Sequence, residues 1–229
     1  MRVILFGATG MVGQGVLREC LLDPKVTDIL AIGRSSIAPR EQKLKEIVRK
    51  DLANISDIES DLRGYDACFF CLGVTSAGLK EHEYRKLTCD LTLGVAQTLA
   101  KVSPGMTFIY VSGMGADSSE QGRVMWARVR GETENALLRL PFKAVYIFRP
   151  GFIQPLHGIQ SKTKLYRAFY AILEPIHPLL RRLAPKYVTT TEDMGRAMIN
   201  VAEHGAPKRV LEMADVNDCA GAQALKNDR

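Results

Sequence analysis

The chain has 229 residues, of which 46% are hydrophobic and 24% charged, with a formal net charge of +6 and a pI near 9.1. These values are ordinary for a soluble globular enzyme, and the length suits one large domain without demanding two. No segment reaches the roughly eighteen uncharged apolar residues of a membrane span, and the five cysteines, odd in number and irregular in spacing, argue against a disulfide framework and for a reducing compartment.

Taken in chain order, Val3-Ile4-Leu5-Phe6 reads as a buried strand that runs into Gly7-Ala8-Thr9-Gly10-Met11-Val12-Gly13. Because this opening stretch is a core strand with no cleavage pattern behind it, it is not a signal peptide, and a cytoplasmic protein is expected. Met11, Val12, Val16, Leu17 and Leu21 then form the apolar face of a helix that Asp23-Pro24 stops. A second strand covers 29–32 and ends at Gly33-Arg34-Ser35-Ser36. A third, short strand falls around 46–49, before Asp51-Leu52. The spacing of Ser56 and Glu59 predicts a capped helix over 56–63.

The continuous apolar run 66–73 marks a central fourth strand, followed by a loop over 74–80. Tyr84, Leu87, Leu91, Val95 and Leu99 recur at helical spacing on one long helix. A fifth strand at 106–111, a helix at 125–140 and a sixth strand at 144–148 follow, the last closed by Arg149-Pro150-Gly151. Thr189 and Glu192 have capping-box spacing before a helix through Met194, Ala197, Met198 and Val201. A last short strand is predicted at 209–213. The alternation implies an α/β, Rossmann-type doubly wound fold, with a mainly parallel sheet of six to seven strands and helices on both faces. Residues 1–213 form one domain, 150–205 shape its substrate side, and 214–229 are a loose tail.

In such sheets ligands sit beyond the carboxyl ends of the strands. Gly7, Thr9, Gly10, Met11, Val12 and Gly13 are the residues a dinucleotide pyrophosphate would meet. Gly7 and Gly10 turn the backbone tightly against the phosphates, and Gly13 lets the helix lie close to its strand. Ala8 takes one glycine position of the usual frame, leaving the shifted G-x-x-G-x-x-G form; the alternative is a structural turn with no ligand.

No acid follows the second strand to accept a ribose 2′-hydroxyl. Arg34 with Ser35 instead suits a 2′-phosphate, predicting NADP(H) over NAD(H), unless Arg34 is merely an exposed strand-end residue. Asp51 and Leu52 meet the adenine edge, or Asp51 is a solvated turn acid. Leu72, Gly73 and Val74 flank the ribose and pyrophosphate, or Gly73 serves only a tight turn. Cys68-x-x-Cys71 on a strand puts its thiols on opposite faces, where they act as small buried hydrophobes. The four histidines, His82, His157, His177 and His204, have no ligand spacing, so no metal is expected.

Three stretches together carry a resemblance: the glycine turn, Ser112 after the fifth strand, and Trp126-Ala127-Arg128-Val129-Arg130-Gly131-Glu132, with Arg149-Pro150-Gly151 adding to it. The chain resembles a short-chain dehydrogenase/reductase, and more narrowly the atypical NmrA-like, Tat-interacting-protein-like, epimerase-like branch. The resemblance implies a catalytic Ser, Tyr and Lys. Ser112 matches the serine and would orient the substrate oxygen. The tyrosine position falls on Trp126 and the lysine position on Arg130, which would hold the nicotinamide ribose; Pro150 and Gly151 join the cofactor-binding set. Indole N–H does not ionise near neutral pH, so Trp126 cannot shuttle a proton. Tyr110, Tyr166, Tyr170 and Tyr187 are the substitutes to weigh.

The stretch 165–183 is unusually apolar and has basic flanks. It fits a helical lid, a dimer surface, a patch docking on acidic membrane, or plain core. The functional readings are an NADP(H)-dependent oxidoreductase acting on a small organic carbonyl or alcohol, a non-catalytic NAD(P)H sensor, and a peripheral membrane protein. Nucleic acid is not an expected partner, because the basic residues form no stripe with aromatics.

Overall fold

Strand β1 (Arg2–Phe6) is apolar almost throughout because it has no solvent face: Val3, Ile4, Leu5 and Phe6 are all fully buried. It lies inside the sheet of a computed structural model that describes residues 1–37, 41–159 and 187–221. The chain continues through α1 (Met11–Leu22), β2 (Asp28–Gly33), β3 (Leu44–Val48), β4 (Ala67–Phe70), α2 (Glu81–Arg85), α3 (Leu91–Val102), β5 (Thr107–Val111), α4 (Met125–Leu138) and β6 (Ala144–Arg149). Then come β7 (Phe152–Gln154), β8 (Val188–Thr190), α5 (Thr191–His204), β9 (Val210–Glu212) and α6 (Met213–Gly221).

The main sheet has seven strands in the order β3-β2-β1-β4-β5-β6-β9, every pair parallel. This is the expected doubly wound sheet. Side chains of α1, α5 and α6 share one buried cluster with the first face. Those of α3 and α4, with Leu52, Ile55, Leu62 and Tyr65, pack on the second. The connection from β3 to β4 reverses the direction of winding, so the switch point at the strand ends lies between β1 and β4.

Four expectations need correction. The helix over 56–63 reduces to a single 3-10 turn, Ser56–Ile58. Ser56 spends its hydroxyl on Asn54 Oδ1 at 2.8 Å and so caps nothing. The long helix through Tyr84 and Leu99 is broken by a π turn at Lys86–Asp90, whose extra residue rotates Leu87 outward to 44% exposure. The cap of α5 is Thr190, whose Oγ1 accepts from the Asp193 N–H at 2.9 Å, while Thr189 pairs with Ile153 in a small β7–β8 sheet. The loose tail begins later than expected: the last strand stops at Glu212, and Met213–Gly221 form α6, with Val216 and Ala220 buried one turn apart. Residues 165–183, with Tyr166 and Tyr170, lie outside the described residues, as do 222–229.

Candidate functional site

The turn after β1 is closed by backbone approaches that admit no side chain. Gly7 has φ +82°, and a Cβ there would stand 2.7 Å from the Cys71 carbonyl carbon. A Cβ on Gly13 would stand 2.0 Å from the Gly7 carbonyl oxygen, so α1 starts in direct contact with the turn. The Gly10 N–H donates to the Gly7 carbonyl at 2.9 Å, and Gln14 Nε2 braces the loop through the Thr9 carbonyl at 3.2 Å.

Gly10 is the N-cap of α1 and supplies no side-chain cap, and the first turn carries no acid. The leading N–H groups, those of Met11, Val12 and Gly13, therefore have neither an intrahelical acceptor nor a side-chain one among the described residues. Together with the positive end of the helix dipole they form a seat for an anion. The cradle fits the pyrophosphate of a dinucleotide.

Beside it a crevice of about 510 Å³ runs along the strand ends. It is lined by Gly7, Ala8 and Thr9 after β1, Gly33 at the end of β2 with Arg34, Ser35 and Ile37 beyond it, Glu46, Ile47 and Val48 of β3, then Leu52 and Leu72. The expected Gly7, Thr9, Arg34, Ser35, Leu52 and Leu72 are thus gathered in one place. Arg34 is exposed and makes no hydrogen bond or ion pair among the described residues.

Asp51 stays outside this lining. Its Oδ1 accepts from the Ala53 N–H at 2.9 Å, as a turn acid does. Gly73 is exposed, and Val74 packs toward Tyr84 and Val129 instead of the crevice. The crevice also contains an acid that reading the end of β2 overlooked. Glu46 accepts from Ser36 Oγ at 2.7 Å and from the Ile37 N–H at 2.5 Å. Its signal was a lone acid in the middle of a short strand.

A second centre forms where β5 meets α4. Ser112 is 6% exposed and donates its hydroxyl to Glu134, itself 1% exposed. Glu134 in turn holds Arg149, whose Nη2 lies 2.5 Å from its carboxylate and whose Nη1 lies 3.1 Å from Glu212. Arg130 stands one turn nearer the helix start. Its Nε donates to the Tyr84 hydroxyl at 3.1 Å, and its Nη1 would lie 3.6 Å from a Cβ on Gly113. The residue level with Arg130 is therefore Gly113, while Ser112 faces the next turn down.

Trp126 lies against Gly115, its ring edge 3.4 Å from the Cβ position. The Pro150 carbonyl accepts from the Met114 N–H at 2.9 Å, and a Cβ on Gly151 would meet Met114 Cε at 2.6 Å. Tyr110 is 1% exposed, and burial pushes its hydroxyl far above the usual phenol range, so it is no acid for substrate. Tyr187 is 60% exposed. Burial raises the Cys71 thiol to about 12 and raises Cys68 as well, in keeping with inert packing. Tyr84 was legible only as part of an apolar stripe; nothing in the sequence marked it as the partner of Arg130.

No protein-family model matches the chain. Among curated proteins it is similar to the protein fmp52, mitochondrial, of Emericella nidulans, at 30% identity over 207 residues, covering 86% of this chain and 85% of that protein. It is also similar to FMP52, mitochondrial, of Saccharomyces cerevisiae, at 32% identity over 72% of this chain and 69% of that protein. A third relative is HTATIP2 of Rattus norvegicus, at 28% identity over 66% and 62%.

Two solved structures share the fold. One is the Bordetella bronchiseptica enzyme WbmF in complex with NAD+, with a TM-score of 0.64, 13% identity, and coverage of 99% of this chain and 79% of that one. The other is the UDP-glucuronic acid 4-epimerase from Bacillus cereus in complex with NAD, with a TM-score of 0.65, 14% identity, and coverage of 92% and 77%. The expectation of a cytoplasmic protein is overturned, because the fungal relatives are named as mitochondrial. Free thiols mark a reducing environment, which is not peculiar to the cytoplasm. Among the described residues no helix is long and apolar enough to cross a membrane.

Proposed function

The chain belongs to the family of FMP52 and HTATIP2, atypical short-chain dehydrogenase/reductase proteins with a Rossmann-type fold, and from that premise we propose that it binds NADP(H) and performs redox chemistry on a small organic carbonyl or alcohol. The observation that carries the reading is the uncapped start of α1, where Gly7, Gly10 and Gly13 leave main-chain amides open to a pyrophosphate. Arg34 and Ser35 at the crevice rim supply a cation and a hydroxyl for a 2′-phosphate. When bound, the nicotinamide supplies a hydride donor or acceptor. Arg130 lies at the reacting end as a permanent cation with four N–H groups beyond the one given to Tyr84.

Calorimetric titration with NADPH and NADH tests the binding half. NADPH is expected to bind more tightly; equal affinity, or tighter NADH, removes the phosphate assignment, and no binding of either at millimolar concentration removes the whole reading. A panel of carbonyl compounds, followed by the absorbance of reduced cofactor, tests the redox half.

A second reading, a non-catalytic NAD(P)H sensor, is favoured by one feature of the same centre. Trp126 stands where a proton-exchanging tyrosine would be, and Ser112 gives its hydroxyl to Glu134. Cofactor binding would then order the surrounding loops for a partner. Binding without turnover across a broad panel selects the sensor; turnover selects the enzyme.

A further inference from the structure

We propose that Tyr84 is a positioning residue, a role that rests on the dinucleotide reading above. Its hydroxyl holds the guanidinium of Arg130 by Nε and so fixes the cation against which the nicotinamide half of the cofactor is placed.

Arginine carries a flat fork of donors on a long side chain, and ordering that side chain on binding costs rotamer freedom unless something has already fixed it. In Arg130 the fixed point is Nε, which donates to the Tyr84 hydroxyl at 3.1 Å. Tyr84 is 1% exposed, so little water competes for that bond. Its ring sits with Cys89 and Val129 in a small apolar cluster, against which Met125 and Trp126 also pack. The backbone at Gly113 stands level with the guanidinium, a Cβ there being 3.6 Å from Nη1 and 3.8 Å from Cζ. The cation thus has one neighbour on α2 and another just past the end of β5.

Other contacts dock α2 on α4. Glu81 meets Arg128 Nη2 at 2.7 Å, and Arg85 pairs with Glu132. With the apolar packing of the Tyr84 ring, these ion pairs join the two helices without the hydroxyl. The π turn at Lys86–Asp90 supplies the aim. One inserted residue rotates what precedes it by about 100° relative to α3. Tyr84 accordingly packs with Val129 of α4, whereas Val95 and Leu99 of α3 pack on the sheet.

NADPH and its adenine half, adenosine 2′,5′-bisphosphate, separate this role from a merely structural one. The bisphosphate reaches only the crevice at the ends of β1 to β4, and Arg130 is not among the residues lining that crevice. Both ligands are titrated calorimetrically against the full-length protein and against Tyr84→Phe, which removes the hydroxyl and keeps the ring. Tyr84→Phe is expected to weaken NADPH binding about threefold to tenfold, the scale of one hydrogen bond. Bisphosphate binding should stay within about twofold, as for a site that does not couple to Tyr84. In an Arg130→Met background, where Nε is gone, the same change should weaken NADPH binding by less than about twofold, because the two residues act as one.

Equal weakening of both ligands, undiminished NADPH binding, or the same loss in the Arg130→Met background overturns the assignment; the first of these also covers a variant that fails to fold. Binding of neither nucleotide by the unmodified protein removes the dinucleotide reading and this role with it. Undiminished NADPH binding in Tyr84→Phe removes this role alone.

Discussion

Ser112 is held between two roles that a single substitution cannot separate unless stability is measured beside activity. Among the described residues its hydroxyl is the one neutral donor to Glu134, a carboxylate at 1% exposure that also carries Arg149. Ser112→Ala leaves that carboxylate short of a bond in a dry place, at a cost of about 1–3 kcal/mol in unfolding free energy by urea titration. A loss of turnover no larger than this destabilisation explains would mark Ser112 as a structural residue. A loss of a hundredfold or more in kcat at temperatures where the variant stays folded would mark it as acting on substrate.

Glu46 presents the same question in the crevice. Both its oxygens are taken by the loop after β2, at Ser36 Oγ and the Ile37 N–H. The carboxylate thus fixes the stretch that begins with Arg34 and Ser35. Glu46→Ala is expected to weaken NADPH binding by about tenfold and NADH binding much less, since loosening the loop forfeits the phosphate contact. Adding Arg34→Gln should then cost little more, because coupled residues are non-additive. Tighter NADPH binding in Glu46→Ala would mean that repulsion by the carboxylate outweighs its bracing of the loop.

At the level of elements, the first turn of α5 carries a pH-sensitive contribution. Glu192 lies 2.7 Å from His157 Nε2 and 2.7 Å from Arg196 Nη2. The hydrogen bond from His157 comes first, and Arg196 adds to it, in holding this carboxyl below its ordinary 4.5. A depressed folded-state value means the stabilisation is complete above 4.5 and is lost as pH falls through the lower, folded value. Glu192→Gln should therefore cost up to about 1 kcal/mol at neutral pH, and the gap from the unmodified protein should close in acid. A gap that persists in strong acid would assign the effect to packing.

The elements also show what the sequence made legible. Strands β1, β4, β5 and β6 were readable because burial on both faces leaves continuous apolar runs, and the glycine turn because only glycine fits the contacts at positions 7 and 13. The π turn at Lys86–Asp90 was not, since an inserted residue leaves the apolar spacing nearly intact and shows itself only in the exposure of Leu87. Glu46 and Tyr84 were missed for a related reason. Each acts through a neighbour distant in sequence, Glu46 through the loop after β2 and Tyr84 through Arg130 on α4.

For the whole molecule, the crevice draws on four separate strand ends, β1 to β4, so a bound dinucleotide ties together segments that are far apart in the chain. A ligand that binds the folded state alone adds stability as RT ln(1 + [L]/Kd), about 2.7 kcal/mol at a hundredfold excess over Kd. For a domain of this size that is a rise of roughly 5–10 °C in Tm. Gly10→Ala separates this effect from the intrinsic stability of the fold. Its added Cβ would lie 3.3 Å from the Gly7 carbonyl oxygen, a contact that a slight shift relieves, yet it would stand where the phosphates approach. The variant without ligand should melt within a few degrees of the unmodified protein, while the Tm rise produced by NADPH should fall by more than half. An undiminished rise would place the nucleotide away from the α1 amides, and the assignment of the glycine turn would fall with it.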